Sequence, residues 1–162
     1  MRISIIIPVF NEQATIAEVL ARVLAVDVDK QVIVVDDGST DDTWWVLERL
    51  SESIPELVPI SNRGLNGFGR AVVIGLEALN GDAVVIMMAD ESDDVRDVVR
   101  YWTKLREGYD CVFGSRFMKG GGVFDYLIKP IEATRMNQML ARFRREREAL
   151  ANRAEMSQDE LD

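Results

Sequence analysis

The chain has 162 residues, 48% hydrophobic and 29% charged, which suits one soluble domain with a substantial core. Its net charge of -9 argues against nucleic acid as the main partner and leaves room for a divalent cation. With no histidine, imidazole catalysis and His metal sites are excluded, and the single Cys111 rules out an internal disulfide framework.

Ile3 to Val9 is a β-branched run punctuated by Pro8 and Asn11, which predicts a buried strand feeding a loop. "NEQATIAEVLARVLA" then repeats apolar residues at helical spacing (Ile16, Val19, Leu20, Val23, Leu24), with Thr15 or Asn11 at its start. "QVIVVDDGSTDDT" predicts a second buried strand ending in acids and a Gly-Ser turn. "DDTWWVLERLSES" predicts a helix burying Trp45, Leu47 and Leu50, and Val58 to Ile60 a short third strand. "NRGLNGFGRAVVIGLEALNG" is a Gly-rich loop entering a helix. In "VVIMMADESDD", Val84 to Met88 predicts a buried fourth strand running into acids. "DVRDVVRYWTKLREG" is the next helix and "YDCVFGSRF" a fifth strand.

Strands alternating with helices predict a three-layer α/β/α sandwich around a mostly parallel sheet. Such sheets bind ligands beyond the carboxyl ends of their strands. "NE", "DDGS", "ADESDD" and "GSR" all fall there, and four polar clusters at one kind of position are unlike ordinary solvated turns. Past "FMKGGGVFDYLIKP" the chain becomes highly charged, with Met136, Leu140, Phe143, Leu150 and Ala154 spaced as one amphipathic helix. The expected division is therefore 1–125 as a nucleotide-binding domain and 126–162 as a C-terminal helical extension. Arg135, Arg142, Arg144, Arg145 and Arg147 allow that helix either peripheral contact with an anionic membrane or homodimer formation. Interleaved Glu146 and Glu148 favour self-association or packing. No apolar run approaches the roughly 20 residues of a membrane span, so the expected location is cytoplasmic, at most on the membrane's cytoplasmic face.

Five motifs, "IIIPVFNEQATI", "VIVVDDGSTDDT", "NGFGRAVVIGLEALNGD", "MMADESDD" and "FGSRF", resemble those of family 2 glycosyltransferases in content and order. The spacing of "GFGRAVVIG" is most like the polyprenol-phosphate mannosyl- and glucosyltransferases, of the dolichol-phosphate mannose synthase type. The resemblance covers residues 3–125 and implies a GT-A fold, a nucleotide-sugar donor (GDP-mannose or UDP-glucose type), a polyprenyl phosphate acceptor and Mg²⁺ or Mn²⁺.

It also implies that Pro8, Phe10 and Glu12 line the nucleotide pocket and that Asp37 contacts the base, with Asp36 orienting the loop. Phe10 offers a flat face for a base, and Glu12 is equally a helix-capping acid. Gly67, Gly69 and Gly75 are read as packing and positioning residues, Gly67 beside the nucleotide, with Arg63 or Arg70 reaching toward phosphate. In the acidic motif Met88 stands where the family has its first Asp. Asp90 is then the expected metal ligand, Asp93 a second one, and Asp94 a cap for the following helix. Arg116 matches the family's strand-terminal arginine and would pair with phosphate, with Lys119 and the triple glycine as a mobile flap. The family's acceptor region has no counterpart in "IKPIEATRMNQMLARFRRE" and is missing or replaced.

An anionic phosphate acceptor needs no general base, so a single inverting displacement fits a chain without histidine. Two other readings stay open: a nucleotide-sugar-binding relative with little turnover, and another α/β enzyme such as a nucleotidyltransferase. The second wants a Gly-rich loop with a basic residue after the first strand, which "PVFNEQAT" lacks.

Overall fold

The computed structural model describes residues 1–109, 111–113 and 126–128. Its elements in chain order are β1 (Ile3–Val9), α1 (Ile16–Leu24), β2 (Lys30–Asp36), α2 (Thr43–Ser51) and β3 (Leu57–Ser61). They continue with α3 (Phe68–Glu77), β4 (Ala83–Ile86), α4 (Arg96–Arg106), β5 (Cys111–Phe113) and β6 (Tyr126–Ile128). The sheet order is β3-β2-β1-β4-β6-β5. Strands β1 to β4 are parallel, with Ile5 opposite Val32 on one side and Val85 on the other.

Side chains alternate across the sheet, as a period of two requires. Ile3, Ile5, Ile7, Val32, Val34 and Val85 join the core that also holds the buried residues of α1, α2 and α4. Ile6, Ile33, Val35 and Val84 face the other way, onto Ala71 of α3. Helices therefore cover both faces, which explains why every residue of β1 and β2 is buried. Helix α3 lies especially close. A Cβ built on Gly75 would fall 2.5 Å from Cγ2 of Ile6, so only glycine lets the helix approach β1 this far. At the edge of the sheet away from the strands' carboxyl ends, Ser4 and Gln31 form a buried polar knot. The Ser4 hydroxyl donates to Gln31 Oε1, which also accepts the Asn80 N–H, while Gln31 Nε2 donates to the Ala78 carbonyl.

Several expectations change. Trp45 is exposed beneath the Arg49 guanidinium, and Trp44 packs on the core instead. Trp45 and Leu47 stand about 200° apart around a helix and cannot share its buried face, whereas Trp44, Leu47 and Leu50 can. The fourth strand ends at Ile86, with one further bond from the Met87 N–H to the Ile6 carbonyl, and Met88 is exposed. Strand β6 was not foreseen. It pairs antiparallel with both β4 and β5, separating two strands that a simple βαβ reading would place side by side. The C-terminal helix, the "GSR" cluster and the glycine flap lie outside the described residues.

Candidate active site

After β1 the chain turns to β2 on one side, and β4 adds on the other, so the strand order reverses between β1 and β4. A cleft of about 190 Å³ opens there, at the carboxyl edge of the sheet. Pro8, Val9 and Phe10 enter it from the end of β1, Asp37 from the end of β2, and Met88, Ala89 and Asp90 from beyond β4. Glu12 and Phe68 complete the lining. Of the expected nucleotide-binding residues, Pro8, Phe10, Glu12, Asp37 and Asp90 are brought together; Gly67 adjoins Phe68 without lining the cleft itself. Arg63 and Arg70 do not border it, and Arg116 lies outside the described residues.

The loops after β1 and β2 are laced together. The N–H of Asn11 donates to Ser39 Oγ at 2.9 Å, that of Glu12 to Thr43 Oγ1 at 2.9 Å, and that of Gln13 to Asp41 Oδ2 at 3.3 Å. In return, Asn11 Oδ1 accepts the Thr40 N–H at 2.7 Å and Gln13 Oε1 the Asp42 N–H at 2.9 Å. Asn11 meets these partners at φ 57°, a left-handed conformation that asparagine tolerates better than most residues. The lacing leaves Phe10 exposed at the cleft. Glu12 borders the cleft; its backbone carbonyl accepts the Ile16 N–H and its carboxylate the Thr15 hydroxyl at 2.5 Å, so the carboxylate does not itself cap α1, whose N-cap is Thr15.

The paired acids of "DDGS" divide their work. Asp36 is buried and its Oδ1 accepts the Ser39 N–H, shaping the turn as expected. Asp37 is also buried; Asn62 Nδ2 donates to its Oδ1 at 2.6 Å and the Gly67 N–H to its Oδ2 at 2.6 Å. Gly67, at φ 145°, is the N-cap of α3, whose first residue, Phe68, stands at the cleft wall. Gly69 has open space where a Cβ would stand, so the packing role expected of it is not found, unlike that of Gly75.

The acidic stretch is equally differentiated. Asp90 is exposed in the cleft, and hydrogen bonds from the Ser92 hydroxyl and N–H hold its carboxyl below the usual carboxylate range. Its neighbour Glu91 adopts φ 62°, an uncommon conformation for this residue, and lies 3.7 Å from Arg22. Asp93 is turned back, its Oδ2 accepting the Met88 N–H at 2.6 Å. Asp94 acts as the helix-leading acid: its Oδ1 accepts the Arg96 N–H at 2.9 Å, and its carboxylate is gripped by the same guanidinium. The Arg96 side-chain hydrogen bonds push its carboxyl down to about 2. Among the described residues no group of three or more acidic or thiol side chains could cage a metal. Asp90 alone fits a hard cation that arrives with a diphosphate, because Mg²⁺ commonly takes one or two carboxylates and completes its shell with phosphates and water. Asp93, the second ligand expected, gives its Oδ2 to the Met88 N–H and is not among the residues that line the cleft.

Sequence reasoning missed Phe68, Met88 as an exposed wall, and Asn62. The first was hidden inside a glycine-rich loop read for its glycines, and the last was a polar residue in a polar loop with no periodicity to mark it.

A parallel α/β sheet flanked by helices, with acids and aromatics gathered at its switch point, defines a GT-A-like protein. Residues 4–157 match the glycosyl transferase family 2 description, and the chain belongs to that family. It is 33% identical over 125 residues to the dolichol-phosphate mannosyltransferase of Pyrococcus furiosus, covering 76% of this chain and 35% of that protein. Among solved structures, the mannosyltransferase PcManGT of Pyrobaculum calidifontis, in complex with GDP-Man and Mn²⁺, superposes with a TM-score of 0.62 at 23% identity. That likeness covers 78% of this chain and 44% of the other. Glucosyl-3-phosphoglycerate synthase of Mycobacterium tuberculosis, in complex with Mg²⁺ and UDP, gives 0.58 at 25% identity, over 78% and 56% of the two chains. The chain spans about a third of the length of the curated relatives it matches.

Proposed function

We propose that the chain is the donor-binding part of a glycosyltransferase that moves a sugar from a nucleoside diphosphate to a polyprenyl phosphate, with inversion. The observation that carries this reading is the cleft itself, where Phe10, Glu12, Asp37, Phe68 and Asp90 converge at the switch point. The dolichol-phosphate mannosyltransferase similarity supports the acceptor class. In this reading the exposed faces of Phe10 and Phe68 hold the base by stacking, Asp37 accepts its N–H groups, and Glu12 accepts a ribose hydroxyl. Asp90 would hold Mg²⁺ or Mn²⁺, which when bound would supply charge compensation for the departing nucleoside diphosphate. Arg116, beyond the described residues, is assigned to phosphate as well. The acceptor oxygen is already anionic, so no residue has to remove a proton, and positioning carries the reaction. No described helix is long and apolar enough to cross a membrane. We place the protein in the cytoplasm, meeting its lipid acceptor at the membrane's cytoplasmic face.

The test is calorimetric titration with UDP, GDP and their sugars, with and without Mg²⁺ or Mn²⁺, followed by transfer to a short-chain polyprenyl phosphate. Metal-dependent binding and an inverted glycolipid product are expected. Absence of any nucleotide binding would overturn the donor-site assignment. Binding with no transfer to the lipid phosphate would reduce it to a donor-binding relative.

A further inference from the structure

Asn62 sits one residue beyond β3 and is buried, although it belongs to the otherwise exposed stretch "NRGLNG". Its backbone N–H and both ends of its side-chain amide are engaged. Its N–H donates to the Asp36 carbonyl at 2.8 Å, prolonging the β2–β3 ladder. Its Nδ2 donates to Asp37 Oδ1 at 2.6 Å and to the Leu65 carbonyl at 3.1 Å, and its Oδ1 accepts the Gly64 N–H at 3.0 Å. The partners dictate which end of the amide is which, since two acceptors face the nitrogen and one donor faces the oxygen. A carboxamide is the one side chain of this size that satisfies all three. Aspartate would set two carboxylates together, and an apolar residue would strand the carbonyl and N–H of the loop.

The same loop closes on Asp37 a second time through the Gly67 N–H, and a Cβ on Gly38 would lie 2.8 Å from Asn66 Nδ2. Loop 62–67 and the "DDGS" turn are thus interlocked, with Asn62 at the joint. Each Asp37 oxygen spends one lone pair on this loop, which fixes the plane of the carboxylate and leaves its other acceptor sites for the cleft.

We propose that Asn62 is a positioning residue for donor recognition: it sets the orientation of the Asp37 carboxylate and the start of α3, and so determines which nucleobase the cleft accepts. This rests on the donor-site reading given above. A carboxylate fixed in plane discriminates between bases by the N–H groups they present along one edge. A carboxylate free to rotate would not.

The experiment compares the parent chain with Asn62→Ala and Asn62→Asp in calorimetric titrations with UDP, GDP, CDP and ADP plus Mg²⁺. It is run at a temperature where circular dichroism shows all three folded. Asn62→Ala should weaken the preferred nucleotide at least tenfold and the others less, so that the ratio between best and worst shrinks. Asn62→Asp should do the same, because a carboxylate would then stand where the Nδ2 donor to Asp37 Oδ1 was. If Asn62→Ala does not fold, Asn62→Ser, which keeps one donor, carries the same comparison. A purely structural role would lower all four affinities by one factor, and that result, or unchanged selectivity, would overturn the proposal. Failure of the parent to bind any of the four would overturn the donor-site reading on which it rests.

Discussion

Replacing Gly75 by alanine puts a methyl group between α3 and β1. The added carbon would lie 2.5 Å from Ile6 Cγ2 and 3.2 Å from Cγ1 and Cδ1, against about 3.5–4.0 Å for a relaxed carbon contact. Ile6 cannot retreat, being wholly buried on a strand paired on both sides. Overpacking of this kind costs about 1–3 kcal/mol. Helix propensity works the other way, favouring alanine over glycine by about 1 kcal/mol inside a helix. The expected net effect is a loss of about 0–2 kcal/mol, with the helix pushed outward. Truncating the opposing side chain reverses the sign. Ile6→Ala alone should cost about 2–5 kcal/mol, but adding Gly75→Ala to it should restore about 1 kcal/mol, since the methyl then enters a cavity. Urea unfolding of the parent, both single variants and the double variant gives the four stabilities, provided the slopes agree. If Gly75→Ala stabilises the parent, or has the same sign in both backgrounds, the close-approach argument fails.

Asp94→Asn tests the helix-leading acid. Because the folded carboxyl titrates at about 2 instead of near 3.8, its contribution is complete above about pH 4 and disappears as pH falls through 2. Arg96 is 81% exposed, so screening should hold that contribution below about 1 kcal/mol. Thermal melts of parent and variant should differ at pH 7 and converge near pH 2, and a constant difference would refute the assignment. Asp90→Asn should lower Mg²⁺-dependent nucleoside diphosphate affinity at least tenfold while leaving metal-free affinity nearly unchanged in the same titration; equal metal-dependent affinity would remove Asp90 as the ligand. Phe68→Ala should cost about 1–3 kcal/mol of nucleotide binding if it stacks on the base, by analogy with base–aromatic stacking elsewhere. An unchanged dissociation constant would place the base elsewhere. Gln31→Leu should destabilise by about 2–3 kcal/mol in urea, since the Ser4 hydroxyl, the Ala78 carbonyl and the Asn80 N–H lose one partner together.

What could be read from the sequence was whatever depends on periodicity. The buried strands β1 and β2 and the apolar face of α1 were legible because continuous and 3.6-spaced apolar runs have few other uses. The acids at strand ends pointed to the correct edge of the sheet, since strand direction alone decides where those ends collect. What escaped depends on contacts across the chain. Trp44 and Trp45 are identical by composition, and only the helix register decides which is covered. Strand β6 has three residues and takes its identity from the strands beside it. Nothing in "DESDD" shows that Asp93 Oδ2 accepts the Met88 N–H. Asn62 has no signature of its own, because its importance lies in three partners spread from residue 37 to residue 65.

The lacing of residues 11–13 to residues 39–43 has a consequence for the energetics of ligand capture. Both strands of that seam are already ordered, so the entropy of arranging this wall is spent during folding and not at encounter. A nucleotide arriving there meets a finished surface, and its affinity should depend on shape and edge chemistry more than on any gain in rigidity. Amide hydrogen exchange at Asn11, Glu12 and Gln13 should accordingly be slow in the free protein and change little on saturation. If this wall were instead assembled around the ligand, those three amides would be the first to slow.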